Sequence, residues 1–324
     1  MRSRMFVCLV VFAVIGGICA AQPYVIGVST DSGRASFRKI ELDGLYKAAK
    51  AAGNVRILEM NADENTSTQN AQIKAMVDQK VDAIIVCAID KDAIQSAFDY
   101  VQDSKIPLIL YDRAVQHPWV SYTVAYDSWS DAQQLAKFIE SKNDGKKHKI
   151  FLTVGSLADP NGIARRDGFY SIISKSKYPN LQVIEIMTDW DVNKALTNME
   201  NALQVHPDVW AVINVSAHMD GSCYTALQEK GLKIKRGQKG HVFYASLSGD
   251  PPSLDFLQGG YTDAVYIIPA EMCGGKLFEA AMTLIKGESL DGKSYMLPTW
   301  PLLPNEFAAK KNKVWSIIYA DLIK

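Results

Sequence analysis

Charged and aromatic residues directly follow several apolar runs in this chain of 324 residues. Asp112 and Arg113 come after the run IPLILY. A carboxylate supplies hydrogen-bond acceptors and a guanidinium supplies a planar fork of donors, so the pair suits adjacent hydroxyl groups or a carboxylate on a small ligand. The same two side chains would equally serve as a local ion pair that caps the connection after the run. Both interpretations fit these residues.

Trp190 lies between Asp189 and Asp191 and also follows an apolar run. An indole ring beside carboxylates could stack against the apolar face of a ligand whose polar groups reach the carboxylates. Ordinary packing between two parts of the protein is the alternative interpretation. The pattern therefore indicates either a stacking platform or a packing contact.

The sequence does not indicate catalysis or cofactor binding. The dinucleotide fingerprint GxGxxG does not follow the first apolar run, and the nucleophile elbow GxSxG does not occur. Of the five histidines, His218 alone stands at the end of an apolar run. Cys87, Cys223 and Cys273 are far apart without metal-ligand spacing, so they allow one disulfide at most. We expect a protein that is not an enzyme and has neither cofactor nor metal.

Strand-like and helix-like patterns alternate along the chain and must position these residues. A β-branched run over 24–30 precedes a helical stripe over 36–53 that ends at Gly53. The alternation continues, restarts at residue 149, and is followed by a Pro-rich stretch over 295–304 and a last expected strand over 313–318. Such alternation is typical of parallel sheets covered by helices on both faces. We predict an α/β protein with two Rossmann-like, doubly wound lobes.

The carboxyl ends of parallel strands meet at one edge of a sheet, where ligands of open α/β folds bind. Polar residues follow the predicted strands at this edge, over 29–31, 112–113, 156–166, 188–191, 216–220 and 248–250. We therefore expect a ligand at this edge, with Asp31 among its contacts.

The first residues are typical of an export signal. Arg2 and Arg4 precede an apolar run over 5–15, and small residues over 19–21 provide a cleavage site. The run is too short to span a bilayer, which needs about 20 apolar residues. We predict a signal peptide over 1–21 and a periplasmic location.

Removal of this segment also changes the charge. The whole chain has 35 basic and 35 acidic residues, and loss of Arg2 and Arg4 leaves 33 against 35, a net charge of −2. This argues against a nucleic-acid partner, which normally requires excess positive charge. A lipid anchor at Cys19 is the less favoured alternative to a free protein, because Gly17-Ile18 before it fits that signal poorly.

Taken in order, the motifs of the mature chain resemble the periplasmic sugar-binding proteins of the ribose/galactose type, which serve bacterial ABC importers and some chemoreceptors. The motifs that carry the resemblance are VIGVST at 25–30, VDAIIVCAIDKDAI at 81–94, IPLILYDR at 106–113, RRDGF at 165–169, HPDVWAVINVSAHM at 206–219 and GGYTDAVYIIP at 259–269. The resemblance implies the type I periplasmic-binding-protein fold, with three crossovers between lobes that close like a hinge on a ligand. It divides the chain into residues 22–126 plus 268–292 and residues 127–267 plus 293–324.

The resemblance also implies roles for individual residues. Asp112 and Arg113 fall on the family's sugar-hydroxyl pair, Trp190 and Phe37 on its aromatic positions, and Arg165 on the Arg of its RxxGF motif. Ser216 and Ser248 stand where the family usually has Asn and Asp. Ile163 and Ile267 replace an Arg and a Gln.

These replacements leave fewer and shorter polar anchors in the second lobe. An unpaired buried ligand group costs about 1–3 kcal/mol, so we expect weak binding of ribose and galactose and tighter binding of a polyol, a modified sugar or a signalling diol. We expect a monomer that delivers this ligand to an ABC permease, or alternatively presents it to a membrane chemoreceptor or sensor kinase. A cytosolic repressor is disfavoured, because the export signal occupies the place of a DNA-binding segment.

Overall fold

A computed structural model of the protein describes residues 23–33 and 35–323. Over these ranges the chain forms two six-stranded sheets with helices on both faces of each. The predicted signal peptide over 1–21 and Cys19 lie outside the described residues. No helix in the described part is both long and apolar enough to cross a membrane.

The first sheet has the strand order β11-β5-β4-β3-β1-β2. Its strands are β1 (Tyr24–Thr30), β2 (Val55–Asn61), β3 (Ala83–Val86), β4 (Leu108–Asp112), β5 (Val120–Tyr126) and β11 (Ser294–Leu297). The helices that accompany it are α1 (Ser36–Ala52), α2 (Thr66–Asp78), α3 (Gln95–Ser104) and α9 (Ala270–Ile285).

The second sheet has the order β12-β10-β9-β8-β6-β7. Its strands are β6 (His148–Val154), β7 (Leu181–Met187), β8 (Val209–Asn214), β9 (Phe243–Ser248), β10 (Ala264–Ile267) and β12 (Trp300–Leu302). Its helices are α4 (Ser128–Lys142), α5 (Pro160–Ile172), α6 (Val192–Val205), α7 (Asp220–Glu229) and α8 (Pro251–Gln258), and the tail adds α10 (Phe307–Lys310) and α11 (Trp315–Ile318). The predicted fold class is confirmed.

The chain passes between the sheets after β5, after β10 and between β11 and β12. All strand pairs are parallel except β10 with β12. Residues 294–297 pair with β5 of the first sheet, whereas the predicted division assigns them to the second lobe. Pro301 is tolerated in β12 because this strand lies at a sheet edge. The division of the chain into lobes otherwise remains a prediction.

The prediction of a strand over 313–318 was wrong, because Trp315–Ile318 is a helical turn. A short apolar run has no periodicity that separates strand from helix, so tertiary contacts decide. Here Trp315 is fully buried among Ile40, Ile267 and Ala270. Those residues come from α1, the end of β10 and the start of α9, so the tail packs where the lobes join.

Helices α1 and α9 pack in close backbone contact through glycines. A Cβ on Gly274 would lie 2.4 Å from the backbone nitrogen of Leu45 and 2.5 Å from the carbonyl oxygen of Glu41. A Cβ on Gly44 would likewise lie 2.9 Å from the backbone nitrogen of Gly275. This contact fixes α1, whose first turn carries charged residues of the cavity described below.

We expect Gly274→Ala to lower the free energy of unfolding by about 2 kcal/mol or more, because the clash is with backbone. Gly275→Ala is the matched control in the same helix, since no heavy atom lies within 4 Å of its added Cβ. Helix propensity predicts that this control is neutral or stabilising by up to about 1 kcal/mol. Urea unfolding followed by circular dichroism measures both, and equal effects would contradict the packing argument.

Candidate ligand-binding cleft

A cavity of about 270 Å³ lies between the two lobes, at the carboxyl ends of the strands. This is close to the lower end of the range of about 300–1,000 Å³ that is typical of small-molecule sites. The cavity is lined by Asp31, Ser32, Ala35, Phe37, Arg38, Glu64, Ile89, Asp112, Arg113, Ser156, Asp159, Asn161, Arg165, Asp189, Trp190, Ser216, His218, Ser248 and Ile268. Every residue predicted to contact the ligand is in this set. Their contact with a ligand remains a prediction.

Arg38, which the sequence analysis did not identify, is the centre of the charged network. Its Nε lies 2.9 Å from Asp31 Oδ1, and its Nη2 lies 3.0 Å from Asp31 Oδ2 and 2.7 Å from Asp112 Oδ2. Its Nη1 donates to Glu41 Oε2 at 2.8 Å. One buried guanidinium thus compensates carboxylates from the end of β1, the end of β4 and α1.

The pKa values of these carboxylates reflect both burial and the guanidiniums. Burial alone would raise the pKa of Asp31, but attraction to Arg38 and Arg113 holds it below the usual value. For Glu41, burial outweighs Arg38 and raises the pKa to about 7. Glu41 also accepts a hydrogen bond from Tyr126 Oη at 2.8 Å, and Tyr126 ends the strand before the first crossover.

Asp112 and Arg113 do not form a close ion pair with each other, because Arg113 Nε is 4.0 Å from Asp112 Oδ2. Arg113 Nη2 instead lies 2.9 Å from Asp31 Oδ2, and its Nη1 donates to the carbonyl of Ala88 at 2.7 Å. The interpretation as an isolated local ion pair is therefore not what the structure shows. The two residues belong to a network that faces the cavity.

This network also bridges the lobes. Arg113 Nε lies 2.8 Å from Asp159 Oδ2, although the N–H is not aligned for a hydrogen bond. Asn161 Nδ2 donates to Asp112 Oδ1 at 3.1 Å, and the backbone nitrogen of Lys91 donates to the carbonyl of Ala158 at 3.0 Å. Burial raises the pKa of Asp159 despite Arg113. The lobes are held in a closed arrangement.

Trp190 forms a wall of the cavity at a tight turn. Its φ of 63° and the φ of 49° at Asp189 place two consecutive residues in the left-handed region. Its Nε1 donates to Asp159 Oδ2 at 2.9 Å. A Cβ on Gly155 would lie 2.1 Å from the indole ring, so the ring packs directly on this glycine.

Arg165 and Phe37 line the cavity near these groups. Arg165 donates from Nη1 to the carbonyl of Val215 at 2.9 Å, and its guanidinium carbon lies 5.6 Å from the centre of the Trp190 ring. The guanidinium carbon of Arg38 lies 4.8 Å from the centre of the Phe37 ring. Both aromatic rings therefore contact an arginine as well as the cavity.

The loop that carries Ser248 is held by the tail of the chain. Ser248 has a φ of 111°, an unusual value for a residue other than glycine. Trp315 Nε1 donates to the carbonyl of Ser248 at 2.9 Å, and Ser316 Oγ donates to the carbonyl of Gly249 at 2.6 Å. Sequence reasoning missed this support because it connects segments far apart in the chain.

Residues 287–294, GESLDGKS, match the phosphate-binding sequence motif GxxxxGK[ST]. A phosphate-binding loop needs a strand before it and a helix after it, so that the helix N-terminus faces the phosphate. Here the order is reversed, because α9 precedes the segment and β11 begins at Ser294. The pattern therefore carries no phosphate site. In the described part of the chain, no three His, Cys, Asp or Glu residues are grouped to hold a metal ion.

The cavity combines many oxygen acceptors, guanidinium donors and two aromatic walls. This chemistry fits a small molecule that carries several hydroxyl groups on an apolar frame. Two α/β lobes that enclose such a cavity define the class of two-lobed periplasmic binding proteins. A profile described as the periplasmic binding protein domain matches residues 26–289. The chain belongs to this family, and the resemblance predicted from the sequence is confirmed.

Individual proteins show the same relationship. The chain is 27% identical over 270 residues to the ribose import binding protein of Bacillus subtilis, covering 83% of this chain and 84% of that one. The crystal structure of a galactofuranose binding protein superimposes with a TM-score of 0.82 at 19% identity, covering 92% of this chain and all of that one. The fructose binding periplasmic domain of a hybrid two component system superimposes with a TM-score of 0.81 at 21% identity. The alignment covers 92% of this chain and 96% of that one.

Asp220 directly follows the cavity segment that contains Ser216 and His218. Its Oδ1 accepts hydrogen bonds from Asn214 Nδ2 at 2.6 Å and from Tyr244 Oη at 2.7 Å. Burial raises the pKa of Asp220 to about 7 even though these bonds lower it. Between about pH 4 and pH 7 the folded state therefore keeps a proton that the unfolded state has lost, and the free energy of unfolding falls as the pH rises through this window.

We expect Asp220→Asn, which cannot ionise, to be more stable than the unmodified protein at pH 8 by roughly 2–4 kcal/mol. The difference should shrink towards zero at pH 4, where both side chains are uncharged. Urea unfolding at several pH values measures it. Asp208→Asn is the control, since this exposed carboxylate pairs with Lys149 on the surface and should change little. A constant difference across pH would contradict the assignment.

Proposed function

We propose that this chain is an exported binding protein that captures a small neutral sugar or polyol between its lobes and releases it unchanged. The observation that carries this proposal is the cavity, which is closed by contacts from both lobes and lined by paired carboxylates and guanidiniums. A ligand with several hydroxyl groups can replace the contacts of Arg113 with Asp159 and of Asn161 with Asp112 without leaving charge uncompensated. Catalysis is not part of the proposal, since the family consists of binding proteins.

The ligand we propose is a polyol or a modified sugar and not ribose or galactose at high affinity. Ser216 and Ser248 are short side chains that reach less far into the cavity than Asn and Asp would. The ribose import protein of Bacillus subtilis is only 27% identical to this chain. At this identity the two proteins can bind different ligands. The cavity volume of about 270 Å³ supports a ligand of monosaccharide size.

We propose delivery of this ligand to an ABC permease in the membrane, by a monomer that reaches the periplasm through its signal peptide. The second candidate is a sensory role, in which the closed protein engages a receptor or sensor kinase. The fructose binding domain of a two component system has the same fold, which supports this second candidate. Deletion of the gene separates the two, because loss of ligand uptake supports transport and loss of a transcriptional or chemotactic response supports sensing.

We expect the purified mature protein to bind at least one member of a panel of neutral sugars and polyols, measured by thermal shift and then by calorimetry. Trp190→Ala should weaken that binding at least 30-fold, because the stacking wall and the Nε1 bond to Asp159 are lost. Trp129→Ala is the matched control, since this indole is 44% exposed and lies outside the cavity.

Near-normal affinity of Trp190→Ala would show that the indole has no role in binding. Tight binding of ribose or galactose would reject the proposed ligand class while leaving the binding role intact. Failure of every neutral compound to bind would reject the proposed function.

A further inference from the structure

The second lobe contributes two serine hydroxyls to the cavity, and each has a hydrogen-bonding side chain beside it. Ser216 is 4% exposed and Ser248 is 2% exposed, and both line the cavity. Each hydroxyl is bonded to a side chain close to it in sequence, His218 for Ser216 and Asp250 for Ser248. A hydroxyl has a single hydrogen to donate, so these partners decide what the serines can offer a ligand.

His218 fixes the direction of the bond to Ser216. Its Nε2 lies 3.0 Å from the carbonyl oxygen of Trp190, which can only accept, so Nε2 carries the hydrogen. In an uncharged imidazole the other ring nitrogen can only accept. When His218 is uncharged, its Nδ1, which lies 2.8 Å from Ser216 Oγ, therefore accepts the hydrogen of this serine. Ser216 is left with lone pairs for a ligand.

Asp250 has the same effect on Ser248. The Ser248 hydroxyl donates to Asp250 Oδ2, and Asp250 is 1% exposed. The tail holds the backbone from which this side chain extends, since Trp315 donates to the carbonyl of Ser248 and Ser316 to that of Gly249. Both serines thus direct their hydrogen into the protein and their lone pairs into the cavity.

We propose that His218 and Asp250 are specificity-determining residues that leave the Ser216 and Ser248 hydroxyls only as acceptors towards a ligand. A ligand must then present hydroxyl hydrogens to Ser216 and Ser248. A carboxylate, a ring oxygen or a methylene group at this edge leaves a serine lone pair unpaired or repelled, which weakens binding. This inference rests on the proposed function and assigns the substrate class as a neutral polyhydroxyl compound with free hydroxyls at that edge.

Arg165, in the same lobe, supplies hydrogen-bond donors instead of acceptors. It lines the same cavity, with its Nη1 donating to the carbonyl of Val215 at 2.9 Å and its Nε to Ser128 Oγ at 3.3 Å. A guanidinium can only donate. The cavity therefore orients its ligand, with an oxygen acceptor towards Arg165 and hydroxyl donors towards the serines.

The test uses the neutral compound that binds best in the panel above, together with its single-position deoxy and fluoro analogues. Fluorine has the size of a hydroxyl oxygen but no hydrogen to donate. The hydroxyl that faces Ser216 is identified as the one whose deoxygenation weakens binding to the unmodified protein but not to Ser216→Ala. At that position we expect the deoxy and the fluoro analogues to bind about tenfold more weakly than the parent, by calorimetry.

His218→Leu removes the acceptor and frees the Ser216 hydrogen to turn towards the cavity. In this variant we expect the fluoro analogue to bind at least threefold more tightly than the deoxy analogue, whereas the unmodified protein binds them equally. His206→Leu is the matched control, since this histidine lies outside the cavity and should leave the ratio at one. If His218→Leu does not fold, the affinity of the unmodified protein for the fluoro analogue relative to the parent compound still tests the inference.

A fluoro analogue that binds the unmodified protein within threefold of the parent would overturn the inference while the binding role stands. So would a carboxylate-bearing sugar acid that binds more tightly than its neutral counterpart, or the absence of any hydroxyl coupled to Ser216. If no neutral compound in the panel binds at all, the proposed function itself fails, and the inference fails with it.

Discussion

The buried guanidinium of Arg38 is the contact on which the geometry of the cavity depends. It compensates Asp31, Glu41 and Asp112, which come from two strand ends and a helix. Removal of one partner from a buried charge network leaves uncompensated charge and is strongly destabilising, by about 3–5 kcal/mol. The two strand ends and the first turn of α1 are therefore fixed relative to each other by electrostatics as well as by packing. Through Glu41 and Tyr126 the same network reaches the first crossover between the lobes.

Closure of the lobes uses the same type of contact. Arg113 approaches Asp159 and Asn161 donates to Asp112, so each lobe satisfies polar groups of the other. A ligand that enters must exchange these bonds for its own, and it gains free energy only if it satisfies donors and acceptors equally well. The direction of the serine hydrogen bonds in the second lobe therefore matters for selectivity as much as the shape of the cavity does.

Much of the architecture could be predicted from the sequence because local patterns determine it. Buried strands such as Ala83–Val86 are continuous apolar runs, and Gly53 ends α1 in the left-handed conformation, as its position after the helical stripe indicates. Asp31 and the residues predicted from the family resemblance all line one cavity. Arg38 was missed because it lies in a helix, and only its approach to Asp31 gives it a role. Asp159 falls in the polar range 156–166 predicted at the sheet edge, but its contact with Arg113 appears only in the fold. Arg38 had one sequence signal, its spacing from Glu41.

Local sequence patterns were enough to predict the fold class, the carboxyl-terminal sheet edge at which the cavity lies, and several of the polar groups that line it. These follow from periodicity and from side-chain chemistry, which act over a few residues. The fold was needed to show that α11 is a helix, that Trp315 supports the Ser248 loop, and that the hydroxyls of Ser216 and Ser248 are hydrogen-bonded to His218 and Asp250. Those outcomes depend on partners distant in sequence or on the direction of single hydrogen bonds, because burial requires each polar group to find a partner wherever the fold places one.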